Sequence, residues 1–501
     1  MLFNSLEYLL FLPTVVAVYW LAAGRFRPLL LLLASYYFYM SWFAKYGLLL
    51  AFLTVVNYSI GLILVHRKIN GAQRQAAYLI GLCANLGCLI VFKYTNFLLD
   101  SAWRFFSQIL SPWFHFDYLH HSAPHLHILL PLGISFFVFE FVHYLTDVYG
   151  GSYAIKNPIS FGLFAAFFPS QIAGPIKRYE DFDGQLRAIG PFDAKLFQAG
   201  CWLIIEGMFK KVVLGDNLAP IVQQGFADPH SLASLDAWLC AICFALQIYY
   251  DFSGYTDIGR GSAMLFGFKL PENFNKPYLA TSLIDFWHRW HMSLSTWLRD
   301  YLYKPLGGGR NGRLRKYRNL LITMLLGGLW HGASWHYVLW GAFHGAGLVI
   351  NHAWRQLRET RIDGGFFAQP IVAASTSLFT LLFVLLGWVL FRAHSTHEAL
   401  IIYQAMFHFQ REATFGPCLS ALLAGALPIG FLLYGLFQGI KYIAQNWSQL
   451  PMHHLEKPIR YSLRWWLSPT KAYEVAGYLA CCIIILALAA HTANPFIYFQ
   501  F

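Results

Sequence analysis

The sequence predicts an all-α polytopic membrane protein, and three observations support this fold class. Of the 501 residues, 57% are apolar and 18% aromatic, whereas only 12% are charged. A soluble domain carries about 25% charged residues, so this chain has too few to cover a soluble fold of its length. Its apolar residues also fall into long runs, as transmembrane helices require. The composition thereby excludes a soluble enzyme, a disordered chain and a disulfide-bonded secreted domain.

The apolar runs predict about eleven transmembrane helices. In chain order they cover residues 5–24, 28–44, 47–65, 77–98, 127–149, 197–225, 233–250, 319–351, 370–391, 416–443 and 472–491. The run 319–351 is long enough for two helices. Because no large soluble domain fits between the runs, residues 1–501 are interpreted as a single membrane domain.

The basic residues predict the orientation of the chain. Lys and Arg number 36 against 24 Asp and Glu, a formal net charge of +12. Basic segments at 66–74 and 310–318 are assigned to the cytoplasm, where Lys and Arg accumulate in short loops. Arg25 and Arg27 follow the first apolar run, which predicts an extracytoplasmic N-terminus. This topology accounts for the charge, so the expected partner is the bilayer rather than nucleic acid.

Two segments do not resemble simple transmembrane spans. Residues 161–182 are apolar but contain Pro169, Gly174 and Pro175, and residues 283–309 mix Trp, His, Arg and Asp throughout. Irregular or polar backbone at membrane depth is tolerated where it is buried in protein or lines a wet cavity. Both segments are therefore predicted to be re-entrant or interfacial and to enclose a site.

Two histidines are the candidate catalytic residues. His331 ends a strongly apolar run and is flanked by glycine, and His291 lies in the second irregular segment. Imidazole is a suitable general base for removing a proton from a hydroxyl near neutral pH. The alternative for each is a buried histidine that only bridges helices.

Motifs for cofactors or metals are weak in this sequence. Gly307–Gly312 match G-x-G-x-x-G, but no predicted strand precedes them, which leaves only a flexible basic loop for phosphates. Cys240 and Cys243 lack the further ligands of a zinc site, and no metal is expected. Glu140, His143 and Asp147 share one helix face, as either a structural polar seam or a proton path.

Long ordered strings of the chain resemble the membrane-bound O-acyltransferase family, in its bacterial branch that O-acetylates polysaccharides such as alginate. They cover much of residues 130–392 and read LPLGISFFVFE, IAGPIKR, YYDFSGYTDI, GFKLPENFNKPY, FWHRWHMSLSTWLRDYLY, TMLLGGLWHGASW and GWVLFRA. The resemblance implies about eleven helices around a central tunnel and acyl transfer from a thioester to a hydroxyl. The family's near-invariant histidine maps onto His331, and its second histidine maps onto His291.

The resemblance also implies the substrates, partners and location. We expect acetyl-CoA as donor, an exopolysaccharide of the alginate or cellulose type as acceptor, and a bacterial inner-membrane location. An extracytoplasmic partner acetyltransferase and a polysaccharide biosynthesis complex are expected. Substrate or donor binding is assigned to seven residues: Asn273, Arg289, Ser293, Arg299, Trp330, Lys177 and Arg178. The basic run 310–318 is a further candidate for donor phosphates, with membrane topology alone as the rival explanation.

Three alternatives stay open at this point. The chain could O-acetylate peptidoglycan, which a related subfamily serves. It could be a transporter in which Glu140, Asp147 and Asp257 couple ions, although no inverted repeat is visible. It could also be a scaffold subunit of a secretion complex, which would not need histidines in apolar, glycine-flanked positions.

Overall fold

The structure, a computed structural model, confirms the all-α class. It describes residues 1–107, 125–172, 174–310, 312–361, 370–408, 420, 422–423, 426–445, 472–490 and 496–497. Over these residues the chain is helical and contains no strand. The helices of the first part are α1 Leu6–Leu21, α2 Arg27–Met40, α3 Ala44–Leu64, α4 Gly71–Leu89, α5 Thr95–Phe105 and α6 Ile134–Tyr149.

The central part contains the first irregular segment. Residues 161–182 form pieces of three short helices, as their proline and glycine residues predict: α7 Pro158–Ala166, α8 Phe168–Gln171 and α9 Tyr179–Arg187. The predicted span 197–225 is interrupted, because a π-helical segment, Phe209–Gly215, separates α10 Ala194–Met208 from α11 Asp216–Ala227. The long helix α12, Ser234–Leu265, follows.

The second irregular segment and the long hairpin come next. Residues 283–309 contain α13 Leu283–Arg289, α14 Met292–Leu298 and a π-helical segment, Arg299–Tyr303. The run 319–351 forms two helices, as its length predicts: α15 Arg313–His331 and α16 Trp335–Arg361. The remaining helices are α17 Pro370–Arg392, α18 Thr396–Phe407, α19 Ala426–Gln445 and α20 Ala472–Leu488.

Four helices of the described chain are long and apolar enough to cross a membrane. They are Ala44–Leu64, Gly71–Phe105, Ser234–Leu265 and Ile371–Arg392, with shorter apolar helices at Leu6–Leu21, Leu427–Gly439 and Leu479–Leu488. This pattern is that of a polytopic membrane protein. The count of about eleven crossings stays a prediction, and part of the predicted span 416–443 lies outside the described residues.

Local side chains explain where several helices begin. The Asn70 side chain accepts a hydrogen bond from the backbone N–H of Gln73, whose side chain in turn accepts one from the backbone N–H of Asn70. This reciprocal pair is a capping box. Asn157, followed by a proline, caps α7 and Asp193 caps α10, each by accepting two backbone hydrogen bonds.

Glycine residues bring neighbouring helices into close contact. On α10 and α12, Gly207 faces Gly254 and Gly200 faces Gly261, so that a Cβ added to Gly207 would lie 2.6 Å from the Gly254 carbonyl oxygen. Small residues let helix backbones approach in this way inside membranes. The same device closes the α15–α16 hairpin, where a Cβ on Gly328 would press against the carbonyl of Tyr337.

A buried ionic cluster joins α10, the following π-helical segment and α12. Lys210 lies 3.0 Å from Glu206 and 2.6 Å from Asp257, and Lys211 contacts both Asp216, at 2.7 Å, and Asp251. Asp257 also lies 3.4 Å from Arg260, one turn further along α12. Buried charges are tolerated when they are paired, so this cluster fixes α12 against α10.

Candidate active site

His331 is the last residue of α15 and is buried in an aromatic environment. Only 6% of it is exposed, and its ring lies 5.0 Å from Trp330, 5.1 Å from Trp340 and 5.3 Å from Phe391, centroid to centroid. The next residue, Gly332, packs so closely on the Tyr337 ring that a Cβ there would clash. The glycine that follows the histidine therefore lets α16 fold back directly beside it.

His291 occupies the junction between α13 and α14 and is fully buried. Its ring contacts Phe252 at 4.7 Å and lies 6.2 Å from Trp330, so Trp330 neighbours both candidate histidines. Its φ of +42° places it in the left-handed region. Among the described residues neither ring nitrogen of His291 has a hydrogen-bond partner. The two histidines that were predicted from separate motifs thus meet around one indole.

Two of the predicted binding residues hold the His291 turn in place. The backbone oxygen of Asn273 accepts from the N–H of Met292 at 3.0 Å, and its side-chain oxygen accepts from the N–H of Ser293 at 3.2 Å. The Ser293 hydroxyl in turn accepts from the N–H of Ile176 at 3.0 Å. Asn273 and Ser293 therefore link the His291 turn to the first irregular segment.

Several buried N–H groups around the histidines are available to a ligand. Within the part of the chain that the structure describes, the indole nitrogens of Trp287, Trp330, Trp340 and Trp388 have no acceptor, nor has either nitrogen of His344. An indole N–H only donates, and leaving it unpaired in a buried place is costly. The region can therefore bind a carbonyl oxygen or an oxyanion.

Sequence reasoning missed Lys93 and Tyr94, which bind the backbone carbonyl groups at the end of α15, next to the His331 ring. Lys93 Nζ donates to the backbone oxygens of Trp330, at 2.5 Å, and His331, at 3.2 Å, while the Tyr94 hydroxyl donates to that of Leu329 at 3.0 Å. The available signal was a single ammonium within the apolar run 77–98, since ionisable residues in such runs are usually functional.

The predicted residue Lys177 is buried in an ion pair. Its ammonium donates to both carboxylate oxygens of Glu140, at 2.8 and 2.7 Å, and also lies over the Phe164 ring. On the same helix face as Glu140, His143 Nε2 accepts from the N–H of Tyr179 at 3.4 Å. These contacts favour the structural polar seam over a proton path for this face of α6.

The other predicted cations lie in the second irregular segment or contact it. Arg178 and Arg299 both bind Asp300, at 2.7 and 3.0 Å, together with Lys304 at 2.8 Å. Partial burial would raise the pKa of Asp300, but hydrogen bonds from Arg299 and Lys304 outweigh it and lower the pKa to about 2. Arg289 binds Asp285 at 2.8 Å. Arg178, Arg299 and Lys304 thus surround one carboxylate and leave excess positive charge.

A basic cavity lies where α15 begins and α16 ends. Its volume is about 480 Å³, and its lining includes Arg313, Lys316, Tyr317, His352 and Arg355. Lys316 Nζ lies 3.2 Å from His352 Nδ1. Part of the predicted basic run 310–318 therefore shapes a concave site together with a helix that sequence reasoning did not connect to it. In the described chain, no three His, Cys, Asp or Glu side chains are grouped as metal ligands are.

Comparison with known proteins identifies the family. The model of the membrane-bound O-acyltransferase family matches residues 69–390. A probable alginate O-acetylase of Pseudomonas putida is 39% identical over 100% of both chains. The peptidoglycan O-acetyltransferase of Helicobacter pylori is 35% identical over 78% of this chain and 77% of its own. The teichoic acid D-alanyltransferase of Streptococcus thermophilus is 31% identical over 46% of this chain and 58% of its own. The chain therefore belongs to the membrane-bound O-acyltransferase family and is an acyltransferase.

Proposed function

We propose that this enzyme moves an acetyl group from acetyl-CoA to a hydroxyl for the O-acetylation of an extracytoplasmic polysaccharide of the alginate type. Probable alginate O-acetylases that match it over their full length support the acceptor class. The observation that carries the proposal is the pair of buried imidazoles, His331 and His291. The ring of each one neighbours the indole of Trp330. This arrangement supplies a base and N–H donors in one apolar place.

His331 is the proposed general base. It accepts the proton of the acceptor hydroxyl while the hydroxyl oxygen attacks the thioester carbonyl carbon. The tetrahedral intermediate collapses by breaking the carbon–sulfur bond, and the CoA thiolate leaves with the proton that the imidazolium returns. The ester and the free thiol are the products, so no further reactant is needed.

His291 and Trp330 are the proposed hydrogen-bond donors to the oxyanion that develops on the thioester carbonyl. His291 and the buried indole N–H of Trp330 are groups that can polarise the thioester carbonyl. The aromatic walls from Phe252, Trp340 and Phe391 exclude water, which would otherwise take the acetyl group by hydrolysis.

The basic cavity at the start of α15 is the proposed site for the donor phosphates. Lys316 precedes His331 by 15 residues on one helix, which is a rise of about 22 Å. An extended pantetheine arm has a comparable reach, so phosphates near Lys316 and a thioester near His331 fit one donor. Arg289, Arg299 and Arg178 are proposed as secondary contacts, whereas the Lys177 ammonium is engaged by Glu140.

The location and partners follow from the acceptor. We propose a bacterial inner-membrane enzyme with its N-terminus outside the cytoplasm and its donor cavity inside. An extracytoplasmic acetyltransferase would then place the acetyl group on the polymer.

The test is the ester content of the secreted polymer in a strain that lacks this gene. Restoring the wild type should return the ester, whereas His331→Ala should leave acetylation at least about 100-fold lower at equal protein level, because a general base contributes about 10² to 10⁴. His394→Ala, which changes an exposed histidine, is the matched control. Normal acetylation by His331→Ala would overturn the assignment.

Peptidoglycan is the second candidate acceptor, since the Helicobacter pylori relative is named for it. If the strain that lacks this gene loses an ester from its cell wall rather than from its secreted polymer, peptidoglycan is the acceptor. Incubating the purified protein with labelled acetyl-CoA separates the enzyme from a transporter or a scaffold, because only the enzyme cleaves the thioester.

A further inference from the structure

We propose that Lys93 is a positioning residue for His331, which it holds through the carbonyl groups that end α15. This inference rests on the proposed role of His331 as the base. Lys93 has no place in the mechanism above, and the comparisons assign it no role.

The end of α15 needs partners for its carbonyl groups. The last four carbonyls of an α-helix have no partner inside the helix, and at membrane depth water is not at hand to supply one. Here Lys93 donates hydrogen bonds to the carbonyl oxygens of Trp330 and His331, and the Tyr94 hydroxyl donates one to that of Leu329. Three consecutive carbonyls are thereby satisfied by two adjacent side chains of another helix.

The π-helical segment Ile90–Tyr94 makes this possible. It separates α4 from α5, and the wider turn places consecutive side chains, Lys93 and Tyr94, against the same helix end. Single π turns inside α-helices are often found at functional sites. The π-helical segment that interrupts the predicted span 77–98 therefore places both hydrogen-bond donors, Lys93 and Tyr94, at the end of α15.

The charge of Lys93 suits this position. The C-terminal end of a helix carries partial negative charge, which a cation stabilises. Among the described residues no carboxylate pairs with Lys93, and its ammonium lies 5.8 Å from the centroid of the Trp330 ring. Its interaction is therefore with the helix end and with the indole that neighbours both histidines.

The consequence for catalysis is orientation. The His331 ring is attached to a backbone whose carbonyl Lys93 holds, and α15 ends at this residue because Gly332 is already extended. A shift of about 1 Å in a catalytic group can cost about 10²-fold in rate. Loss of Lys93 should therefore reduce turnover more than it reduces donor binding.

The experiment compares Lys93→Met, Lys93→Gln and Lys93→Arg in the full-length purified enzyme, with Lys156→Met as an exposed-lysine control. Acetyl transfer is measured from acetyl-CoA, with kcat and the donor KM determined separately. We expect kcat to fall about 10- to 100-fold in Lys93→Met. The donor KM should change less than about twofold, since the phosphates bind elsewhere. Lys93→Arg should restore most of kcat because it keeps the charge and the donors.

The outcomes separate this inference from the proposed function. If the wild-type enzyme does not use acetyl-CoA, the proposed donor is wrong. The Lys93 variants are then compared with the wild type in an assay with the thioester that it does use. Wild-type kcat in Lys93→Met overturns the positioning role, as does equal loss in Lys93→Arg and Lys93→Gln. Should Lys93→Met fail to fold, the Lys93→Gln and Lys93→Arg pair gives the same comparison with polar side chains.

Discussion

At the scale of single residues, the strained backbone of His291 is the most informative feature. A residue other than glycine rarely adopts positive φ, and in the described chain only Lys276 and His291 do so. Asn273 maintains the strain by binding the two backbone N–H groups that follow. Such strain concentrates at functional sites, where surrounding contacts over-determine the conformation. The conformation points the imidazole into the apolar interior beside Phe252.

His291→Ala should lower kcat about 10²-fold, because loss of one oxyanion donor has an effect of that size. His291→Asn is the matched variant, since Asn tolerates the left-handed region and keeps an N–H donor, and it should retain more activity than Ala. Steady-state acetyl transfer by the purified variants measures both. Equal rates for the wild type and His291→Ala would return this residue to a structural role.

At the scale of secondary structure, paired glycines determine how α12 packs on α10. The two pairs, Gly200 with Gly261 and Gly207 with Gly254, repeat at intervals of seven residues on both antiparallel helices. This spacing keeps one backbone face in contact along two turns. The buried charges of Lys210 and Asp257 lie at the same interface, so close packing and ion pairing support each other there.

Gly207→Ala should therefore destabilise the fold by about 1–3 kcal/mol, the usual cost of overpacking. Gly87→Ala is the control, because no atom lies within 4 Å of its added Cβ and alanine favours a helix. Thermal unfolding in detergent should show a lower midpoint for the first variant and an unchanged or higher one for the second. Equal midpoints would show that the interface can relax.

At the scale of the whole molecule, α15 connects the basic cavity to the buried histidines. Arg313 and Lys316 lie at its first turns and His331 at its last residue, so a single rigid element sets their separation. A donor that spans this length is recognised by charge at one end and reacts in an apolar place at the other.

The double variant Arg313→Gln with Lys316→Gln should raise the KM for acetyl-CoA by about tenfold or more, because hydrogen bonds to charged groups contribute about 1.5–3 kcal/mol each. Its kcat should change little. The same variant should use acetyl-pantetheine, which lacks the nucleotide phosphates, as well as the wild type does. Arg67→Gln, in an exposed basic loop, serves as the control. An equal change in KM for both donors would contradict the phosphate site.

Much of this architecture could be predicted from the sequence, and the rest required three-dimensional contacts. Apolar runs indicated the helices, and prolines and glycines indicated the breaks within 161–182. The π-helical segments were not predictable, since neither Ile90–Tyr94 nor Phe209–Gly215 contains proline and the single glycine, Gly215, does not indicate a π turn. His331 and His291 stood out in their motifs, but the role of Lys93 depends on a helix 237 residues away along the chain.

The ionic cluster of α10 and α12 has a consequence for how the chain is made. The charges of the earlier segment cancel within it, since two lysines, Lys210 and Lys211, lie among two carboxylates, Glu206 and Asp216. Asp251 and Asp257 are synthesised later, and Asp257 follows Lys210 by 47 residues. The helix α12 carries these two aspartates as well as Asp236, and such a span partitions poorly into lipid by itself. We therefore expect α12 to become stable in the bilayer only when it pairs with the earlier segment, so that the two segments insert together.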